Sequence, residues 1–222
     1  MRITPTGPVL VSQEGATVTI ALNRPEKRNA ITNAMLLTMA EALEDAAADD
    51  EVHSIVLTST GDYFSAGRDI RERSGESEPV DSSKAPITHQ PGPFLRTLTL
   101  LLEHPKPTIA AVRGFALGGG QALTLACDFV VAERGAQFGN VEMAYGFPAA
   151  MNIALLTRHL GRRLGLEIAV TGETYSAERY WEMGLVNRLA EDGDLETTLR
   201  GFVEFLNSRE TWAVQRTKTA FR

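Results

Sequence analysis

The stretch that most restricts the fold runs from Pro107 to Asp128. Thr108 to Val112 is a short apolar run with the character of a buried strand. Gln121 to Cys127 has the composition of a buried helix, and Gly118, Gly119 and Gly120 stand where strand gives way to helix. Glycines at such a turn let the backbone approach a ligand closely, and the first turn of a helix leaves N–H groups unpaired at the positive end of its dipole. An oxyanion would be held there. The alternative is that the three glycines only permit close packing of helix on strand. Phosphate loops fit less well, because no Gly-Lys-Ser/Thr follows, as a nucleoside triphosphate loop needs, and the order Gly114, Gly118, Gly119, Gly120 is not the dinucleotide pattern Gly-x-Gly-x-x-Gly.

A second unit of the same grammar lies upstream. Ser54 to Thr58 reads as a buried strand and is followed by Gly61-Asp62-Tyr63-Phe64-Ser65-Ala66-Gly67-Arg68-Asp69-Ile70, with a helix from about Phe94 to Leu102 between the two units. Repetition of strand, turn and helix predicts an α/β fold with parallel strands. Ahead of it, Val9 to Val11 and Thr17 to Leu22 flank Gln13-Glu14-Gly15 as a hairpin. Asn23 to Asn29 forms a polar loop with three basic residues, and Thr32 to Ala48 carries Met35, Met39, Leu43 and Ala46 on one helical face. Arg71 to Pro93, rich in Ser, Pro, Glu and Gly, reads as a mobile surface loop rather than a domain linker, since too little chain precedes it for a separate domain.

Downstream, Phe129 to Ala132 and Ala136 to Gly139 read as strands. Asn152 to His159 and Arg162 to Val170 are helical around a break at Gly161. Ser176 caps a helix over Ala177 to Met183, and Leu195 to Leu206 is amphipathic. Between these, Asn140 to Pro148 sets one carboxylate, Glu142, among apolar neighbours. Desolvation there would raise its pKa and suit it to carrying a proton near neutrality; the alternative is an ordinary solvent-exposed glutamate.

Totals narrow the function classes. A chain of 222 residues, 43% apolar and 23% charged, suffices for one sizeable core. The net charge of −6, with its basic residues scattered, disfavours nucleic acid as a partner. A single cysteine, Cys127, precludes an intrachain disulfide and suggests a reducing compartment. The N-terminus has no signal-peptide pattern, and no run approaches about 18 uninterrupted apolar residues, so a cytoplasmic protein without membrane partners is expected. His53, His89, His104 and His159 share no ligand spacing, and no metal is assigned.

Taken together, Leu22-Asn23-Arg24-Pro25 with Asn29-Ala30, Phe64 to Ile70, Ile109 to Gly120, Ala126-Cys127-Asp128, Phe138 to Glu142, and Leu166 to Gly172 followed by Gly184 to Asn187 resemble, in order, the crotonase superfamily of enoyl-CoA hydratases and isomerases. The resemblance implies a spiral of β-β-α units over residues 1–190. It also implies that residues 191–222 begin a helical C-terminal region, incomplete here, that builds homotrimers or dimers of trimers. The implied substrate is an acyl-CoA thioester, so coenzyme A arrives with the substrate and no separate cofactor is expected. The implied oxyanion donors are the backbone N–H groups of Arg68 and Gly119. Arg28, Ala66, Gly67, Asp69, Ile70, Arg71, Leu117 and Gly118 would contact the substrate and its nucleotide end.

One departure bears on subtype. Hydratases of the family have a glutamate two residues after the glycine triplet, where this chain has Ala122 after Gln121; the later glutamate is retained as Glu142. Water addition uses two acid/base groups worth about 10²- to 10⁴-fold each, whereas a double-bond shift needs one carboxylate that takes a proton from one carbon and returns it to another. Isomerisation is therefore the preferred expectation. Hydration with Gln121 or another polar group orienting water, a CoA-binding subunit without turnover, and hydrolysis or decarboxylation are the alternatives.

Overall fold

The computed structural model describes residues 3–69, 92–146 and 148–221. The main sheet has six strands in the order β1 (Val9–Glu14), β2 (Thr17–Leu22), β3 (Ser54–Ser59), β4 (Thr108–Val112), β6 (Phe129–Glu133) and β9 (Arg188–Ala190). The β1–β2 pair is the antiparallel hairpin expected from Gln13-Glu14-Gly15, and every later pairing in this sheet is parallel. A second sheet, set off from the first, has the order β5 (Phe115–Leu117), β7 (Gln137–Gly139) and β8 (Thr174–Ser176). The parallel β3 and β4 carry consecutive apolar residues, Ile55 to Leu57 and Ile109 to Val112, because both faces of the main sheet are covered; all five residues of β4 are buried.

Seven α-helices occur among the described residues: α1 (Asn33–Ala48), α2 (Pro93–Leu102), α3 (Gly119–Ala126), α4 (Ala150–Thr171), α5 (Ala177–Glu182), α6 (Leu195–Asn207) and α7 (Thr211–Ala220). Helix α1 starts where Thr32 accepts a hydrogen bond from the Met35 N–H, and its stripe of Met35, Met39, Leu43 and Ala46 is buried in the larger core. Ser176 caps α5 in the same way through the Arg179 N–H. Gly161 interrupts α4 with φ 72° and ψ 177°, the break expected there. Helix α6 covers the other face of the main sheet, setting Leu195 and Val203 against Val56, Ile109, Ala111 and Val131.

Several elements differ from the sequence reading. Helix α3 begins at Gly119, two residues before the expected Gln121, so the turn proper is at Gly118 and the next two glycines lie in the first helical turn. Strand β4 does not run directly into it. The chain first crosses to the second sheet as β5, whose Ala116 bridges Ser65. Strands β8 and β9 and helix α7 lie beyond the elements expected from sequence. Of the expected loop over Arg71 to Pro93, all but Gly92 and Pro93 lies outside the described residues. No helix among the described residues is long and apolar enough to cross a membrane.

Candidate active site

The two glycine turns meet. Ser65 donates its N–H to Phe115 O and accepts the Leu117 N–H, which sews the Ser65–Gly67 segment along β5. Below it, the buried Ser65 hydroxyl donates to Asn29 O and accepts the Gly67 N–H. Gly67 has φ +100°, and its carbonyl accepts the Ile31 N–H. A methyl group added at Gly67 would stand 3.0 Å from Leu117 O and 3.3 Å from the Gly119 nitrogen; one added at Gly119 would stand 3.3 Å from the Arg68 nitrogen. The backbone nitrogens of Arg68 and Gly119 thus each lie close to where a methyl on a glycine of the other turn would stand, an approach that glycine permits. Gly119 opens α3, where no carbonyl of the same helix precedes it to accept its N–H.

Gly118 joins this turn to the carboxylate. Its conformation, φ 50° and ψ −116°, is one that L side chains rarely adopt, and its N–H donates to Gly139 O. Two residues beyond Asn140, the 3-10 turn Val141–Tyr145 carries half-buried Glu142. A methyl at Gly118 would lie 2.9 Å from Glu142 Oε1 and 3.4 Å from Oε2. The carboxylate therefore packs on the residue that immediately precedes Gly119. Ala122, at the position of the absent second carboxylate, is fully buried. Gln121 is also fully buried, and its Nε2 donates to Asn140 Oδ1 at 3.1 Å. That inward amide pair engages the side chain named in sequence as an alternative water-orienting group.

The side chain of Arg68 lies across the site. Its Nη2 donates to Asn33 Oδ1 at 2.8 Å and its guanidinium sits 5.4 Å from the centre of the Phe94 ring. Asp69 is held beside it, with its carboxylate accepting Arg24 Nη1 at 3.0 Å and its N–H donating to Ile31 O. Arg24 also donates to Ala30 O, so this member of the basic cluster turns inward and ties the Asn23–Asn29 loop to the Ala66–Asp69 segment. Arg28 is exposed with φ 50°, and its carbonyl accepts the Ala66 N–H. Thus Arg28, Ala66, Gly67, Arg68, Asp69, Leu117, Gly118, Gly119 and Glu142 are brought into one region, while Ile70 and Arg71 lie outside the described residues.

Sequence reasoning passed over the scaffold beneath. Asn29 is fully buried with φ 53°; its Oδ1 accepts the Arg24 N–H, and its Nδ2 donates to Thr60 O and Tyr63 O. A polar residue that tolerates the left-handed region, placed between basic residues and a helix, was the available signal. Asn33, Phe94 and Asn152 gave no local signal, because their importance comes from partners far along the chain. Cys127 is buried and its thiol is pushed well up by desolvation, which fits a structural role. Among the described residues no group of three His, Cys, Asp or Glu side chains is arranged to hold a metal.

The profile of the family described as enoyl-CoA hydratase/isomerase matches residues 12–222. Among curated proteins, the chain is 35% identical to 2,3-dehydroadipyl-CoA hydratase of Escherichia coli over 81% of its own length and 68% of the relative's. It is 31% identical to 1,2-epoxyphenylacetyl-CoA isomerase of the same organism over 96% and 80% of the two lengths. Among solved structures, an enoyl-CoA hydratase from Mycobacterium smegmatis superimposes with a TM-score of 0.88 at 31% identity, covering 97% of this chain and 82% of that one. The strand-strand-helix architecture, the meeting of the two glycine turns and these similarities agree: this chain is an enzyme of the enoyl-CoA hydratase/isomerase family, within the crotonase superfamily.

Proposed function

We propose that this enzyme moves a double bond in an enoyl-CoA thioester through an enolate, with Glu142 as the single acid/base group. The observation that carries the reading is the packing of the Glu142 carboxylate on Gly118, next to the Gly119 N–H, while Ala122 occupies the position of a second carboxylate. The thioester oxygen binds between the Arg68 and Gly119 N–H groups. Glu142 removes the proton from the carbon beside the carbonyl, the electron pair delocalises onto the oxygen, and the same carboxyl returns the proton to the far end of the conjugated system. No water is added and none is lost. Loss of one preorganised donor costs about 3 kcal/mol in comparable sites, so two aligned N–H groups account for a large share of the enolate's stabilisation.

The nucleotide end of coenzyme A lies along the Arg24–Asn29 loop and the Ala66–Arg71 segment, with exposed Arg28 meeting phosphate. Residues 191–222 contribute to a trimer or dimer of trimers, which the exposure of Phe205, Trp212 and Phe221 supports. Enoyl-CoA hydration is the second reading, favoured by the hydratase names of similar proteins. It requires a water-orienting group other than residue 122.

The test is exchange of the α-proton of an acyl-CoA in heavy water, paired with product identification from 3-enoyl-CoA and crotonyl-CoA. Exchange and double-bond shift that are lost in Glu142→Gln support the proposal. Wild-type hydration that survives Glu142→Ala would overturn it in favour of a base elsewhere.

A further inference from the structure

The carbonyl of Gly118 and the N–H of Gly119 belong to one peptide unit, so a group bound to the first acts on the second. Two donors reach that carbonyl. One is the Ala122 N–H of α3 at 3.1 Å, and the other is the side-chain Nδ2 of Asn152 on α4, also at 3.1 Å. Asn152 is only 2% exposed, and its Oδ1 is buried without a hydrogen-bond partner. Packing alone does not explain this amide. A leucine of similar shape would fill the space between α4 and the glycine turn without leaving a buried oxygen unmet.

The glycine conformation supplies the need for it. At φ 50° and ψ −116°, with glycine on both sides, the peptide between Gly118 and Gly119 has little side-chain bulk to fix its plane. Occupying both lone pairs of the carbonyl fixes that plane. It also polarises the peptide, because hydrogen bonds in series strengthen one another in a low-dielectric interior. We propose that Asn152 is a positioning residue for the reaction, locking the Gly118–Gly119 peptide and making its N–H a stronger donor to the thioester oxygen. This rests on the reading above, in which the Gly119 N–H binds that oxygen.

The test uses the full chain with a chromophoric ligand, a cinnamoyl-CoA bearing a para-dimethylamino group, whose absorption moves to the red when its carbonyl is polarised. In Asn152→Leu the red shift on binding falls by about half and kcat for α-proton exchange falls about tenfold, a fraction of the 10²- to 10³-fold seen when a donor is removed outright. KM changes less than twofold. Asn152→Asp keeps the size but sets an acceptor against the carbonyl, so it loses at least as much, and it serves where the leucine variant does not fold. A wild-type red shift retained in both variants would overturn the role of Asn152 alone. The absence of any red shift on the wild-type enzyme would sink the oxyanion reading, and this inference with it. Glu142→Gln, in contrast, keeps the red shift while losing exchange.

Discussion

Substituting Gly118 by alanine separates stability from chemistry in this site. The new methyl would stand 2.9 Å from Glu142 Oε1 and 3.1 Å from Cδ, inside van der Waals contact, so the carboxylate must retreat by several tenths of an ångström. The obstructing atoms are the far end of a flexible side chain, so this steric term costs the fold little. The backbone term is larger. Alanine at φ 50° and ψ −116° is strained by about 1–3 kcal/mol, which lowers the unfolding free energy without abolishing folding. Misplacing a reacting group by about 1 Å can cost about 10²-fold, so a smaller retreat of Glu142 predicts a kcat for α-proton exchange reduced about 10- to 100-fold, with KM nearly unchanged. Gly184→Ala is the control: it also has positive φ, at +80°, but its added methyl meets nothing within 4 Å, so it loses stability and keeps activity. Deuterium incorporation followed by mass spectrometry, alongside urea unfolding, measures both quantities. Equal specific activity in folded Gly118→Ala and Gly184→Ala would refute the placement of Glu142 as the proton carrier.

Other substitutions probe the scaffold. Asn29→Ala removes three partly buried hydrogen bonds at a left-handed position and lowers the unfolding free energy by about 3 kcal/mol, seen as a lower urea midpoint with an unchanged m-value. Lys106 is 2% exposed, and its Nζ donates to the Ala46 and Asp49 carbonyls at the end of α1. Lys106→Met strips those caps and destabilises by about 2 kcal/mol on the same assay. Burial lowers the pKa of His104, whose Nδ1 accepts the Lys106 N–H and whose Nε2 faces Leu43 O. Below its ordinary value of about 6.5 the unfolded chain takes up this proton before the folded one, so stability falls as pH drops through that range. His104→Gln flattens that slope in a pH series of thermal unfolding midpoints.

Much of the fold was legible because its elements are marked locally. The five buried residues of β4 have the bounds read from sequence, and the Thr32 and Ser176 caps set the starts of α1 and α5. Strands β5, β8 and β9 were missed because three residues are too short to show periodicity and are fixed by their sheet partners. The start of α3 is hidden in the sequence because glycine has a poor intrinsic helix propensity, yet Gly119 and Gly120 are helical where a methyl on either would run into Arg68 or Ser65.

The chemistry on offer is legible along the chain: two glycine turns, one retained carboxylate, an alanine where a second would stand, and an α/β order of elements. How these parts act together depends on the folded packing. It brought the Gly67–Arg68 turn against Gly119, laid Glu142 on Gly118, turned Gln121 toward Asn140, and brought Asn152 to the Gly118 carbonyl from 34 residues away. The physical reason is that residue type and local pattern are written along the chain, whereas distance and hydrogen-bond direction between its distant parts arise only when the sheets and helices pack.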